Sequence, residues 1–391
     1  ANGSLAAIKA AEATLAGLPK DEVAAKAAYT AARTSNAARA NPPLRHAQPF
    51  PGKDEATQNI ARKNFLALVF CLMIGTAALP HILMRYYTTP SVKEARESVS
   101  WSLFFIFLLY FTAPALAVLA KYEVYTVLVN TPFDKLPEWI ARWSAVDKSL
   151  LSVVDINKDG ILQLAEMSIG GDIIVLATPE IGGLPYVISG LVAAGGLAAA
   201  LSTADGLLLT IANALSHDLY YKVLDPNAST ARRVAVSKAL LLVVALCAAY
   251  VAAQKPADIL FLVSAAFSFA AATFFPALTL GIFWKRANKW GASLGMLAGL
   301  GVTFYYMITT QPWLYKLTHG GSALTPEILK ANTWWDIAPI SAGLFGVPVG
   351  FAVIIIVSML TKAPGKEIQD LVEHVRFPSL DGKTSGGSAA H

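Results

Sequence analysis

Leu184-Pro-Tyr-Val-Ile-Ser-Gly190-Leu-Val-Ala-Ala-Gly195-Gly-Leu-Ala-Ala199-Ala-Leu-Ser202-Thr203-Ala-Asp205-Gly206-Leu-Leu-Leu-Thr210-Ile-Ala-Asn-Ala-Leu215 carries a single charged side chain, Asp205. A helix crosses the roughly 30 Å of bilayer hydrocarbon with about 20 mostly apolar residues. The block that holds this stretch, 183–215, exceeds that need. Six further blocks meet it: 65–87, 100–120, 236–254, 258–284, 289–309 and 338–361. Across the 391 residues 55% are hydrophobic and 15% charged, against about 25% charged in a soluble domain, so polar surface is too scarce for life in water. The expected fold class is an all-α membrane protein with seven transmembrane helices.

The net charge of +5 does not point to nucleic acid, because no basic cluster with interleaved aromatics occurs. Lys and Arg sit instead in short connections between blocks, where membrane proteins keep them. They collect after the first block (Arg85, Lys93, Arg96), the third (Lys222, Arg232, Arg233, Lys238) and the fifth (Lys285, Arg286, Lys289), and in the tail (Lys362, Lys366, Arg376, Lys383). That bias marks the cytoplasmic side, so the C-terminus is expected inside and the N-terminal segment outside. Cys71 and Cys247 fall inside apolar blocks and read as buried small hydrophobes.

The chain divides into an exterior Ala-rich segment and linker (1–60), two spans (61–120), an exterior loop (121–182), five spans (183–361) and a cytoplasmic tail (362–391). Prolines at 42, 43, 49 and 51 follow a marginal helix in the first segment, and residues 377–391 read as disordered. Ala1 in the first position and an odd span count together suggest a processed chain or a fragment of a longer transporter.

Three stretches carry chemistry. Asp155-Ile-Asn157-Lys-Asp159-Gly160-Ile161-Leu162-Gln163-Leu-Ala-Glu166 meets the EF-hand loop template at each diagnostic place. Asp155, Asn157 and Asp159 offer side-chain oxygens, Ile161 a carbonyl, Gln163 a direct or water-borne ligand, and Glu166 two oxygens. Gly160 permits the sharp turn, and segment 137–154 is the expected incoming helix. The alternative is an Asx-rich turn that binds nothing.

In the third block, Ser202 and Thr203 lie one turn beyond Ala199, and small residues at 193–196 and 198–200 permit close helix approach. Hydroxyls and carbonyls suit a hard cation such as sodium, although hydroxyls in spans also bond to carbonyls a turn back. Asp205 adds an ionisable group inside a span, a functional candidate by position. In the first block, Gly75-Thr76-Ala77-Ala-Leu-Pro80-His81 predicts a broken helix or a plain proline kink. His81 reads as a proton relay or as a satisfied histidine. No nucleotide-binding glycine loop, nucleophile elbow or zinc spacing occurs, so no enzyme and no ATP-driven pump is expected.

Ala200-Leu-Ser202-Thr203-Ala-Asp205-Gly206, continuing to Ser216-His217-Asp218-Leu-Tyr220, resembles the sodium:solute symporter family. So do Pro276-Ala-Leu-Thr-Leu-Gly281-Ile-Phe-Trp284-Lys-Arg286-Ala-Asn288 and Gly291-Ala-Ser-Leu-Gly295. Gly75-Thr76-Ala-Ala-Leu-Pro80-His81-Ile-Leu-Met-Arg85 is similar to the acetate, or monocarboxylate, permease branch. The resemblance runs over about 60–362. It implies the C-terminal part of a LeuT-type inverted-repeat fold: core helices six to ten and two peripheral ones, with core helices one to five and one peripheral helix missing. It further implies sodium held by the Ala199 carbonyl, Ser202 and Thr203, with Asp205 near a second cation site. The substrate would meet Gly75, Thr76, Ala77, Phe267 and Ser268. Core helix one, the other half of the sodium site, is absent, and the EF-hand-like insertion is not a family feature. The expected function is sodium-coupled symport of a small carboxylate at a bacterial inner membrane; the rivals are a membrane-embedded sensor domain of the same fold and a calcium-gated channel.

Overall fold

The computed structural model describes residues 21–23, 25–27, 29–30 and 50–376. Most of the Ala-rich segment 1–60 and all of 377–391 lie outside the described residues, and with them the disorder expected in the tail and most of the marginal helix; the described residues 22–23, 25–27 and 29–30 are helical. In chain order the α-helices of eight residues or more among the described residues are α1 (Glu55–Ala78), α2 (Val92–Glu123), α3 (Glu138–Val146), α4 (Ile174–Ile181), α5 (Tyr186–Asn213), α6 (Thr230–Ala253), α7 (Ile259–Phe283), α8 (Lys289–Thr310), α9 (Gly343–Leu360) and α10 (Lys366–Arg376). Short π-helical runs, Val124–Leu128 and Ala214–Leu224, prolong α2 and α5.

Among the described residues, seven helices are long and apolar enough to cross a membrane: α1, α2, α5, α6, α7, α8, and α9 with the turn before it. These are the seven blocks read from the sequence. The first begins earlier than hydropathy suggests. Asp54 caps it, its Oδ1 accepting from the Thr57 amide at 2.7 Å, and a polar turn then runs into the apolar part. Polar Asn64 in that turn has a purpose, since it donates to the Asp336 carbonyl at 2.8 Å and accepts from the Ala338 amide at 2.6 Å.

The chain forms two compact units: residues 1–47 with 112–193, and residues 48–111 with 194–391. The first has a small core of Val124, Leu128, Trp139, Ile140, Leu151, Leu162 and Ile173. Two short strands, β1 (Leu151–Val153) and β2 (Met167–Ile169), pair antiparallel, with Ser152 opposite Ser168. The incoming helix expected over 137–154 is therefore corrected, because helix α3 stops at Val146. Asp147 Oδ1 accepts from the Ser149 amide and hydroxyl at 2.8 Å each, which turns the chain, and β-branched Val153 then joins a ladder.

In the second unit α7 packs against α1, α8 and α9, and α8 against α9. Glycines make this possible. A Cβ at Gly299 would run into the Ala272 carbonyl of α7, one at Gly295 into Ile354 and the Gly350 carbonyl of α9, and one at Gly291 into Ser358. The spacing of four puts all three glycines on one face of α8, so backbones meet where side chains would otherwise hold helices apart. Beside this seam lies an aromatic cluster in which Tyr306 touches Trp334 and Phe345, and its hydroxyl donates to the Ile337 carbonyl.

Helices α5 and α6 differ. Only Ala212 is buried on α5, and no residue is buried on α6. Cys247 is accordingly exposed, against the expectation from its apolar surroundings, whereas Cys71 on packed α1 is fully buried.

Candidate functional site

The helix break falls at the end of α1. Leu79 is extended (φ −67°, ψ 118°), and Pro80 opens a short helical turn, Pro80–Leu83, followed by a 3-10 turn, Met84–Thr88. Proline lacks an N–H and suits a first helical position, so the chain restarts there at little cost. The Ile82 and Leu83 amides both donate to the Leu79 carbonyl at 3.1 Å. The break directs Arg85 onto α5, where its Nη2 donates to the Ser202 carbonyl at 3.4 Å. Gly206, one turn on, leaves the room: a Cβ there would stand 3.3 Å from Arg85 Nη2 and 3.9 Å from His81 Cβ. His81 Nδ1 is buried without a hydrogen-bond partner.

The four cation candidates share one stretch of α5, and all four are exposed. Thr203 Oγ1 donates to the Ala199 carbonyl at 3.2 Å, which is the bond to the preceding turn that rivals metal ligation. Within α5 the Ala199 carbonyl also accepts the Thr203 amide of the helical ladder, so both its lone pairs are engaged and a cation ligated there has to displace the Thr203 hydroxyl. Asp205 stands three residues beyond Ser202, on the same side of the helix.

Of the substrate candidates, Gly75 and Phe267 are brought together, because a Cβ on Gly75 would meet the Phe267 carbonyl and Cβ. Glycine is thus what lets α1 lie on the backbone of α7. Thr76 and Ala77 are exposed, with Thr76 Oγ1 donating to the Leu72 carbonyl at 2.6 Å. Ser268 is fully buried, and its hydroxyl donates to the Ile340 carbonyl at 2.6 Å, toward the entry of α9.

In the other unit, the loop candidates converge. Carboxylate oxygens of Asp155, Asp159 and Glu166 lie within 4.8 Å of one another. The backbone takes positive φ at Lys158 (62°) and Gly160 (74°), which wraps the chain around that point. Glu166 is only 2% exposed; its Oε1 accepts from the Ile156 amide at 2.8 Å and its Oε2 from the Gln163 amide at 3.0 Å. Asp155 Oδ2 accepts from the Gly160 amide at 3.0 Å, while Oδ1 is buried without a partner. Hydrogen bonds, led by the Ile161 amide, hold the Asp159 carboxyl below the usual carboxylate range. Asn157 Nδ2 and Gln163 Nε2 both donate to Asp159 Oδ2, at 2.8 and 2.7 Å. Leu162 is fully buried, and a backbone pair with Asn130 and Thr131 fixes it in the unit's core.

Sequence reasoning missed Arg85 as a site residue, taking it only as an orienting charge. The usable signal was the break itself, since a helix that stops at residue 79 and turns back carries the next cation with it.

Comparison with known proteins bears on both units. The sodium:solute symporter family matches residues 174–299, which include Ala199, Ser202, Thr203, Asp205, Phe267 and Ser268. An uncharacterised symporter of Cupriavidus necator is 52% identical over 96% of this chain and 54% of its own length. A monocarboxylic acid transporter of Corynebacterium glutamicum is 28% identical over 85% of this chain and 52% of its own length. The chain thus spans about half the length of these curated relatives. No solved structure matches it. The segment 174–299 thus matches the sodium:solute symporter family, and the chain as a whole is similar to a symporter and, more distantly, to a monocarboxylic acid transporter.

Proposed function

We propose that this chain works in sodium-coupled symport of a small monocarboxylate by alternating access. The observation that carries this reading is the run Ala199–Asp205 inside the family-matched segment, with a broken helix bringing a guanidinium against it. Sodium, held by the Ala199 carbonyl and the Ser202 and Thr203 hydroxyls, stabilises the form that takes up substrate. The carboxylate approaches the broken end of α1 near Gly75, Thr76 and Ala77, with Phe267 alongside. Ser268 is fully buried with its hydroxyl committed to Ile340, so it props the site from behind. The name of the Corynebacterium relative supports a monocarboxylate as the cargo. The charge bias of the connections supports a cytoplasmic C-terminus in a bacterial inner membrane. The test is uptake of radiolabelled acetate into cells that express the protein from its intact gene. Ser202→Ala with Thr203→Ala abolishes the sodium dependence, and undiminished sodium-driven uptake overturns the assignment.

A second reading concerns the other unit: the loop 155–166 binds calcium. Template spacing and the partnerless buried oxygen of Asp155 favour it, because burying a carboxylate oxygen without a partner is costly unless a cation completes it. Millimolar calcium then raises the melting temperature of the purified protein, and Asp155→Asn with Glu166→Gln removes the rise. An identical melting temperature with calcium and with chelator sinks this reading.

A further inference from the structure

The ends of α7, α8 and α9 frame a cleft of about 760 Å³ that the transport reading does not use. Its floor is apolar, formed by Gly281 of α7, Ala292 of α8 and Ile354 of α9. Its lining includes Lys289, Trp290 and Lys362, and among the described residues no acidic side chain lines it. The two lysine-bearing turns are tied together, since Asn288 Nδ2 donates to Thr361 Oγ1 at 2.7 Å and to the Lys362 carbonyl at 3.2 Å. Arg286 adds a bond from Nη2 to the Met359 carbonyl at 3.1 Å. The cleft is therefore a built feature with fixed spacing between its two positive turns.

Helix α10 runs past this cleft. The Lys285–Glu373 pair at 2.8 Å ties it down, and Arg376 lies over the Phe283 ring at 5.8 Å. Ile368, which lines the cleft, and Leu371 point apolar side chains outward from α10, at 53% and 59% exposure. Trp290 is 60% exposed beside them. An amphipathic helix with charges on one face, and a tryptophan at the same level, are marks of the layer where headgroups meet acyl chains. The cleft thus offers an apolar lining between helices long and apolar enough to cross a membrane, together with two ammonium-bearing side chains.

We propose that this cleft binds an acidic glycerophospholipid, with the phosphate between Lys289 and Lys362 and an acyl chain over Gly281, Ala292 and Ile354. Basic pockets between spanning helices attract anionic headgroups, each lysine near the surface strengthening binding roughly fivefold. The lysine stems lie along the apolar walls and carry the charge to the rim.

The test uses the purified protein in detergent, titrated with phosphatidylglycerol or phosphatidylcholine and read by native mass spectrometry and melting temperature. Phosphatidylglycerol is retained and raises the melting temperature; phosphatidylcholine of the same chain length does neither to the same degree. Lys289→Gln with Lys362→Gln weakens phosphatidylglycerol retention by more than tenfold. Gly281→Leu supplies an independent arm. A Cβ at Gly281 meets nothing within 4 Å, so the leucine grows into the cleft without displacing backbone and lowers retention with both lysines intact. Equal retention of the two lipids, or retention unchanged in both variants, overturns the proposal. So does full displacement of the lipid by millimolar inorganic phosphate, which would mark an anion site with no use for an acyl chain.

Discussion

Helix α8 and helix α6 invert what hydropathy suggests. The most apolar part of α8 has a mean hydropathy of 1.4 and that of α6 has 2.3, yet α8 is packed on two sides and α6 buries nothing. Helix α5 sharpens the contrast. It carries Gly190 and Gly195 in a run of small residues, much as α8 carries Gly291, Gly295 and Gly299. A Cβ at either α5 glycine meets nothing within 4 Å, whereas each α8 glycine has backbone or side-chain atoms pressed against it. Within a bilayer no hydrophobic force pulls helices together, so a small-residue stripe permits contact without dictating it. What decides is a matching surface opposite. Here the glycines at 346 and 350 on α9, and the carbonyl of Ala272 on α7, supply it.

The contrast breaks most visibly at Gly299. Gly299→Val forces a branched side chain into the Ala272 carbonyl and costs about 3 kcal/mol or more, as overpacking of a tight contact does. Folded, monodisperse protein on size-exclusion chromatography then falls sharply, while Gly195→Ala on α5 elutes unchanged. If both variants behaved alike, α8 would be no more tightly packed than α5.

A smaller effect follows at Ser268. Ser268→Ala leaves the part-buried Ile340 carbonyl without its donor and destabilises by about 1 kcal/mol. A thermal melt of the purified variant reads that loss. A lower melting temperature with unaltered substrate affinity separates a packing role from a substrate contact. The reverse pattern would return Ser268 to the binding site.

The smallest effect lies at the edge of the packed helices, where Glu373 holds α10. The Lys285 hydrogen bond keeps the Glu373 carboxyl below the ordinary glutamate value of 4.5. A carboxylate with a depressed folded value stabilises above its unfolded value and loses that contribution as pH falls through the folded one. Attachment of α10 is therefore constant from pH 7 to about pH 5 and weakens in acid below about pH 4.5. The mobility of a spin label on α10, followed across pH, shows this transition, and Glu373→Gln removes it. A label equally mobile at pH 7 and pH 4 in the unsubstituted protein would argue against the tether.

Seven spans were legible because about 20 consecutive apolar residues have few other uses. Pro80 announced the break within one residue, since a missing N–H cannot be hidden in a helix. The start of α1 was not legible. Asn64 looks like a residue that ends an apolar helix, and its bonds to Asp336 and Ala338, 272 and 274 positions away, exist only in the fold. Loop 155–166 showed its ligand spacing plainly, but not that strands β1 and β2 flank it, because three-residue strands carry too little pattern to read. The hydroxyls of Thr203 and Ser268 were visible as oxygens, and only the geometry says which carbonyls they already serve.

The glycine seam of α8 also limits how this unit deforms. Sliding or rolling two helices past one another takes side chains that can exchange one rotamer for another, and a seam of bare backbone has none to exchange. Helices α7, α8 and α9 are thereby held as one block, whereas the break at Leu79 and the sparsely packed helices α5 and α6 carry no such constraint.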